Sequence, residues 1–165
     1  MEWVEFMNAP EVDSYFHSMP LEKYLFGKVL HDVLECLTAF KSYTDLLNKY
    51  LKDEVSADTL AWFTTRKEII EAWVWKIHEL SQGYLDQSKP LSEWLQLIER
   101  MADIIGEAPT LESEYASLSL PLEDKPRQIV GSAGHTLTKL NLILSDIRTR
   151  EYKRLYTLRY GDLIN

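Results

Sequence analysis

Two pairs of acidic residues have a spacing that could bring carboxylates together for metal chemistry. Glu68 and Glu71 are three residues apart, and Glu99 and Asp103 are four residues apart. In a helix, residues at either spacing lie on one face. Mg²⁺ takes oxygen ligands and usually keeps several waters. Two such pairs on neighbouring helices can therefore hold Mg²⁺.

The segments that carry these acids are similar to the all-α nucleoside triphosphate pyrophosphohydrolases. That family has a Glu-Glu-x-x-Glu motif on one helix and a Glu-x-x-Asp motif on a later one. Here Lys67 stands where the first motif has its first glutamate, and the Glu99–Asp103 segment is one residue longer than the second motif. The resemblance covers residues 67–103. It implies Mg²⁺-dependent nucleotide hydrolysis, with the two acid pairs as metal ligands, as an alternative function.

Other catalytic patterns are absent from the sequence. There is no Gly-x-Ser-x-Gly turn, no GxxxxGK[ST] phosphate loop and no His-Glu-x-x-His motif. The single cysteine, Cys36, lies in an apolar helical segment, where a buried and unreactive thiol is expected. Gly131 and Gly134 also fall in an apolar helical pattern, which predicts close packing of another helix, such as one carrying a tryptophan. We expect no cofactor, and a non-enzymatic protein is favoured.

The end of the chain is basic, although the whole chain is acidic. Residues 146–165 carry five basic and three acidic side chains, whereas the chain has 18 basic and 26 acidic residues and a net charge of −8. Tyrosines interleave with the basic residues, a pattern that suits single-stranded RNA. Nucleic-acid processing is thus another alternative, although the net charge disfavours it. The basic residues are Arg148, Arg150, Lys153, Arg154 and Arg159.

An aromatic residue on a charged helix face indicates a contact surface. Trp75 falls on the polar side of its helix, beside Glu68, Glu71 and Glu79. Aromatic residues are enriched at the centres of protein interfaces. We therefore predict that these four residues bind a protein partner, one that is itself basic, as an acidic immunity or antitoxin-type protein does. The sequence also leaves a homodimer open.

Apolar residues recur at helical spacing, and proline and glycine separate the segments. Ser56 or Asp58 is expected to cap the second helix, and Trp62 and Ile69 are expected to widen its buried side. The pattern predicts long helices near 22–52, 59–82 and 126–161, a shorter one near 92–106, and a short one within 110–118. The fold class is therefore all-α, an antiparallel bundle of four principal helices with short additional helices.

Length and composition favour one helical-bundle domain over residues 1–165 and a cytoplasmic location. The longest stretch without a charged residue, 128–138, is shorter than the ~18 residues that a membrane span needs. Residues 1–20 contain four acids and no basic residue, the reverse of a secretory signal. In that segment, Trp3 and Phe6 are expected to cover the bundle or to meet a partner.

Overall fold

The structure is a computed structural model that describes residues 21–82, 89 and 91–160, so Trp3 and Phe6 lie outside the described residues. The described residues form helices and connecting turns, without a β-strand. The helices are α1 (Leu21–Tyr50), α2 (Ala57–Leu80), α3 (Leu91–Ile104), α4 (Ala108–Ala116), α5 (Asp124–Arg148) and α6 (Tyr152–Thr157). They pack against one another and confirm the predicted all-α bundle. None of them is both long and apolar enough to cross a membrane.

Helix α1 is the centre of the bundle, because α2, α3, α5 and α6 all pack against it. Its apolar stripe, predicted from the sequence, is buried along the whole helix. The predicted side chains that are almost fully buried are Leu25, Val29, Val33, Leu37, Phe40 and Leu47, and Phe26 beside them is buried as well. Each such side chain contributes about 1.5–3 kcal/mol of burial free energy, so this one stripe supplies a large part of the core.

Helix α2 runs antiparallel to α1 and begins at Ala57, two residues before the start predicted from the sequence. The Ser56 hydroxyl accepts a hydrogen bond from the Thr59 backbone N–H at 3.2 Å, which confirms Ser56 as the N-cap. The opposite directions of the two helices follow from their contacts: Lys67 pairs with Asp45, while Asn48, further along α1, bonds to Thr64, which is earlier in α2.

The expected burial of Ile69 on α2 is wrong. Its side chain is 37% exposed, whereas Ile70 is fully buried. Ile69 and Ile70 point in different directions, because successive residues differ by about 100° around a helix. Trp62 is half-buried, so it does widen the buried side as predicted.

The last long helix ends earlier than the sequence predicts. Helix α5 stops at Arg148, and Arg150 takes a positive φ of 56°, which breaks the helical path. The separate helix α6 then returns to the bundle, where Leu155 is buried. Leu155 continues the apolar spacing of α5, so the sequence pattern predicts one helix where the structure has two. The predicted end near Gly161 lies outside the described residues.

Candidate functional site

The outer face of α2 carries the residues that the sequence singled out for partner binding. Trp75 is 65% exposed in the C-terminal half of α2, while Trp73, two residues earlier, is only 6% exposed. Glu68, Glu71 and Glu79 are exposed as well. Glu68 is seven residues from Trp75, and Glu71 and Glu79 are each four residues from it, so all four side chains lie on one side of the helix. We call these four residues the acidic tryptophan face.

The three glutamates of this face differ in electrostatic environment. Glu71 Oε1 lies 3.9 Å from Lys41 Nζ and 3.8 Å from Lys67 Nζ, so its charge is partly compensated. Lys67 is itself held mainly by its hydrogen bond to Asp45, which raises the pKa of Lys67. Glu68 and Glu79 have no ion-pair partner within the part of the chain that the structure describes. Both carboxylates are exposed, so a partner could reach them.

This arrangement suits the binding of a cationic surface. A tryptophan ring attracts Lys and Arg through its π face, and free carboxylates on both sides of Trp75 add longer-range attraction within a Debye length of about 8 Å. Burying the exposed indole removes apolar area from water, which is favourable for any partner that covers it. The face thus combines a central aromatic anchor with an acidic rim.

None of the protein-family models, curated proteins or solved structures that were compared with this chain matches the chain.

Two of the four acids of the hydrolase alternative contact basic side chains. Glu99 accepts a hydrogen bond from Arg150 Nη2 at 3.2 Å, and Glu71 faces lysines on α1 and α2. No three of the four acids, Glu68, Glu71, Glu99 and Asp103, bring ligand oxygens within 4.8 Å of one another. Magnesium binding by this set would require the side chains to rearrange, and nucleotide hydrolysis stays an untested prediction.

A different group of potential ligands lies together on the surface of α1. His31, Asp32 and Glu35 offer ligand atoms within 4.8 Å of one another. However, Asp32 already pairs with Lys28, and its Oδ1 lies 3.1 Å from His31 Nδ1. Lys28 and His31 already contact the Asp32 carboxylate. His31 and Glu35 are exposed side chains one turn apart on α1.

The basic residues near the end of the chain are all exposed, but their tyrosine neighbours are not. Tyr156 and Tyr160 are 8% and 5% exposed, so these rings would have to leave the core to stack on RNA bases. Arg150 pairs with Glu99, and Arg154 Nε lies 3.7 Å from Asp146 Oδ1. The remaining basic side chains, which have no ion-pair partner among the described residues, are Arg148, Lys153 and Arg159.

The thiol of the single cysteine is unreactive at neutral pH. Cys36 is 7% exposed, and burial raises the pKa of its thiol to about 12. A thiol attacks as its thiolate, so Cys36 is protonated and inert at neutral pH. Its role is to pack against the neighbouring helices.

A second group of exposed apolar residues was not predicted from the sequence. Leu120 is 45% exposed and Leu122 is 91% exposed, in the connection between α4 and α5. Tyr50 and Leu46, at the end of α1, are 63% and 37% exposed. The Leu-Pro-Leu run could have drawn notice, because leucines in a connection without helical periodicity have no core face to occupy.

Proposed function

We propose that this chain is a non-enzymatic protein–protein interaction module of the cytoplasm and that its acidic tryptophan face binds a basic protein. The exposure of Trp75 is the observation that supports this proposal most. A large aromatic ring kept in water on a well-formed helix has no structural task within the described bundle, whereas such rings are common binding hot spots. An acidic binder that neutralises a basic partner, as immunity and antitoxin-type proteins do, fits this chemistry.

The charges of the face would act mainly on association. Opposite charges steer two proteins together and orient them, and they raise the association rate more than the final affinity. Glu68 and Glu79 supply this attraction, because Glu71 is already close to two lysines. Trp75 would supply the lasting contact, since its apolar area is buried only in the complex. We therefore expect the association rate to fall with salt and the dissociation rate to depend on Trp75.

Site-directed photo-crosslinking in the native cell tests the proposal. A photo-reactive amino acid replaces Ala72, which is exposed on α2 one turn before the ring of Trp75, or replaces Ala116, which is exposed at the end of α4. The proposal expects one basic protein to be crosslinked from position 72 and not from position 116. Its crosslinking should fall when Trp75→Ala is added to the position-72 protein.

Two results would contradict the proposal. One is an equal set of crosslinked proteins from positions 72 and 116, since that would indicate random encounters. The other is a position-72 partner whose yield does not change with Trp75→Ala. A crosslinked acidic protein would likewise contradict the charge complementarity on which the proposal depends.

A further inference from the structure

The first half of α1 carries three potential metal ligands of two chemical kinds. They are the imidazole of His31 and the carboxylates of Asp32 and Glu35, whose ligand atoms all lie within 4.8 Å of one another. We call these three residues the His31 cluster. Within the described ranges, no other histidine or cysteine joins such a group with two further ligands. The His31 cluster shares no residue with the acidic tryptophan face.

The distances between these ligand atoms fit one small divalent ion. His31 Nδ1 lies 3.1 Å from Asp32 Oδ1 and 3.7 Å from Glu35 Oε2. Zinc holds nitrogen and oxygen ligands at about 2.0–2.2 Å with tetrahedral angles, so two such ligands are about 3.3–3.6 Å apart. One measured distance lies just below this span and the other just above it. Small side-chain rotations are therefore enough to bring all three ligands onto one ion.

The Asp32 carboxylate is held in place by a residue outside the cluster. Lys28 donates to Asp32 Oδ2, and the same ammonium donates to the Leu158 carbonyl at 3.3 Å. The other oxygen, Oδ1, faces His31. Carboxylates that bind metals are commonly fixed by such a second hydrogen bond. Asp32 therefore supplies one ordered ligand atom, which lowers the conformational entropy that is lost when an ion binds.

The kinds of ligand determine which ion the cluster suits. Imidazole is a good ligand for zinc and other transition metals, whereas magnesium and calcium prefer oxygen ligands alone. Three protein ligands and a water in the fourth position form a common zinc arrangement, and His31 and Glu35 are exposed, so water can reach the ion. The positive charge of Lys28 opposes a second cation nearby. We therefore expect a dissociation constant in the micromolar range.

We propose that the His31 cluster binds a zinc ion through His31 Nδ1, Asp32 Oδ1 and one carboxylate oxygen of Glu35. His31 contributes most to the choice of zinc, because the two carboxylates that remain without it suit magnesium or calcium as well. Zinc binds only the unprotonated imidazole, so its affinity should fall as the pH becomes acidic. The zinc site and the acidic tryptophan face are separate surfaces, so either proposal can fail while the other stands.

Calorimetric titration of the full chain with zinc chloride, in a buffer that does not bind metals, tests this proposal. His31→Ala should weaken zinc binding by at least about tenfold, since losing a ligand costs no less than losing a group that supports one. Glu35→Gln should also weaken it, because an amide is a poorer ligand than a carboxylate. His135→Ala is the matched control and should bind zinc as wild type does. His135 is also exposed on a long helix, but it belongs to no group of three potential ligands among the described residues.

Thermal melting of the same proteins separates the loss of the site from damage to the fold. Without metal, His31→Ala and Glu35→Gln should melt as wild type does, because both side chains are exposed. Zinc should raise the melting temperature of wild type and His135→Ala more than that of His31→Ala.

Three results would overturn the zinc site. They are a wild-type protein that binds no zinc at millimolar concentration, a His31→Ala variant that binds zinc as tightly as wild type, and an equal loss of binding in His135→Ala. Magnesium chloride that binds as tightly as zinc chloride would likewise contradict the proposal, because it would indicate a general attraction of cations to an acidic protein.

Discussion

Gly134 of α5 lies directly against the ring of Tyr115 on α4. A Cβ atom at Gly134 would lie 2.5 Å from Tyr115 Oη and closer still to two ring carbons. The same hydroxyl donates a hydrogen bond of 2.8 Å to the Val130 carbonyl, one turn earlier on α5. The predicted close helix packing at this glycine is thus present, but the ring belongs to a tyrosine and not to a tryptophan.

We predict that Gly134→Ala lowers the free energy of unfolding by about 1–3 kcal/mol, as overpacking in a closed site does. Gly131→Ala is the matched control, because a Cβ atom added there would have no atom of a neighbouring element within 4 Å. It should raise stability by about 0.5–1 kcal/mol, since alanine is the better helix former. Urea unfolding measures both changes. In a Tyr115→Ala background, Gly134→Ala should cease to destabilise; a persistent loss would show that the ring is not the cause.

The ion pair between Arg66 and Glu114 predicts a pH dependence of stability. Arg66 Nε and Nη2 donate to the two Glu114 oxygens at 2.8 and 3.1 Å, and the Trp62 indole donates to Oε1 at 3.1 Å. The hydrogen bond from Arg66 is the main cause of the lowered pKa of Glu114, which lies below its ordinary value of 4.5. The pair therefore stabilises the fold above about pH 4.5, and this contribution is lost as the pH falls through the lowered pKa.

We predict that Glu114→Gln lowers the free energy of unfolding by about 0.5–1 kcal/mol at neutral pH, the value typical of a partly exposed pair. Denaturant titrations at pH 7 and pH 3 measure the difference between wild type and variant. The difference should shrink toward low pH, because the wild-type carboxyl loses its charge as the pH falls through its lowered pKa. An equal difference at both pH values would mean that the charge of Glu114 contributes nothing.

The hydrogen bond from Tyr160 to Asp146 fastens the end of the described chain to α5. Tyr160 Oη donates to Asp146 Oδ2 at 2.7 Å, and the two residues are each 5% exposed. We predict that Tyr160→Phe costs about 1–3 kcal/mol of stability, because a buried carboxylate oxygen loses its donor. Asp146→Asn is the control, since an amide oxygen can still accept the bond, and it should cost less. A greater loss for the control would point to the Arg154 ion pair as the stronger contact.

The burial of Tyr160 also predicts how the stability of the fold changes at alkaline pH. Burial, aided by the hydrogen bond to Asp146, raises the pKa of Tyr160 above its ordinary value of 10.0. The neutral phenol stabilises the fold fully below about pH 10, and this contribution is lost as the pH rises toward the raised pKa. Wild-type protein should therefore lose more stability above pH 10 than Tyr160→Phe does. If the free energies of unfolding of the two proteins fall equally above pH 10, the raised pKa of Tyr160 does not contribute to stability.

Ligand-induced stabilisation separates the interaction module from the nucleotide hydrolase. A ligand that binds only the native state at a hundred times its dissociation constant adds about 2.7 kcal/mol. We predict that millimolar Mg²⁺ with a nucleoside triphosphate leaves the melting temperature unchanged, because the four acids are not gathered. A rise in the melting temperature that Glu68→Gln or Glu99→Gln removes would favour the hydrolase.

Much of the fold follows from the sequence because helical periodicity and a strong cap are local signals. The apolar stripe of α1 and the Ser56 cap of α2 both depend on residues within a turn or two of one another. Trp75 could be placed on the polar side for the same reason, since its angle around α2 relative to the buried Trp73 is fixed by helix geometry.

The features that escaped prediction depend on contacts that are distant in the sequence. The end of α5 is set by the return of α6, where Lys28 of α1 donates to the Leu158 carbonyl at 3.3 Å. The close approach at Gly134 depends on a tyrosine from another helix. Leu122 is exposed beside the buried Pro121, and no local pattern reports that burial.

The affinity of the purified chain for the basic protein crosslinked at position 72 tests the central claim most directly. Calorimetric titration should show that Trp75→Ala weakens binding by about 2 kcal/mol, or roughly 30-fold, as the loss of an aromatic hot spot does. Tyr50→Ala removes an aromatic side chain of nearly equal exposure, 63% against 65%, and should bind within about twofold of wild type. If Trp75→Ala binds as tightly as wild type, the acidic tryptophan face is not the binding surface.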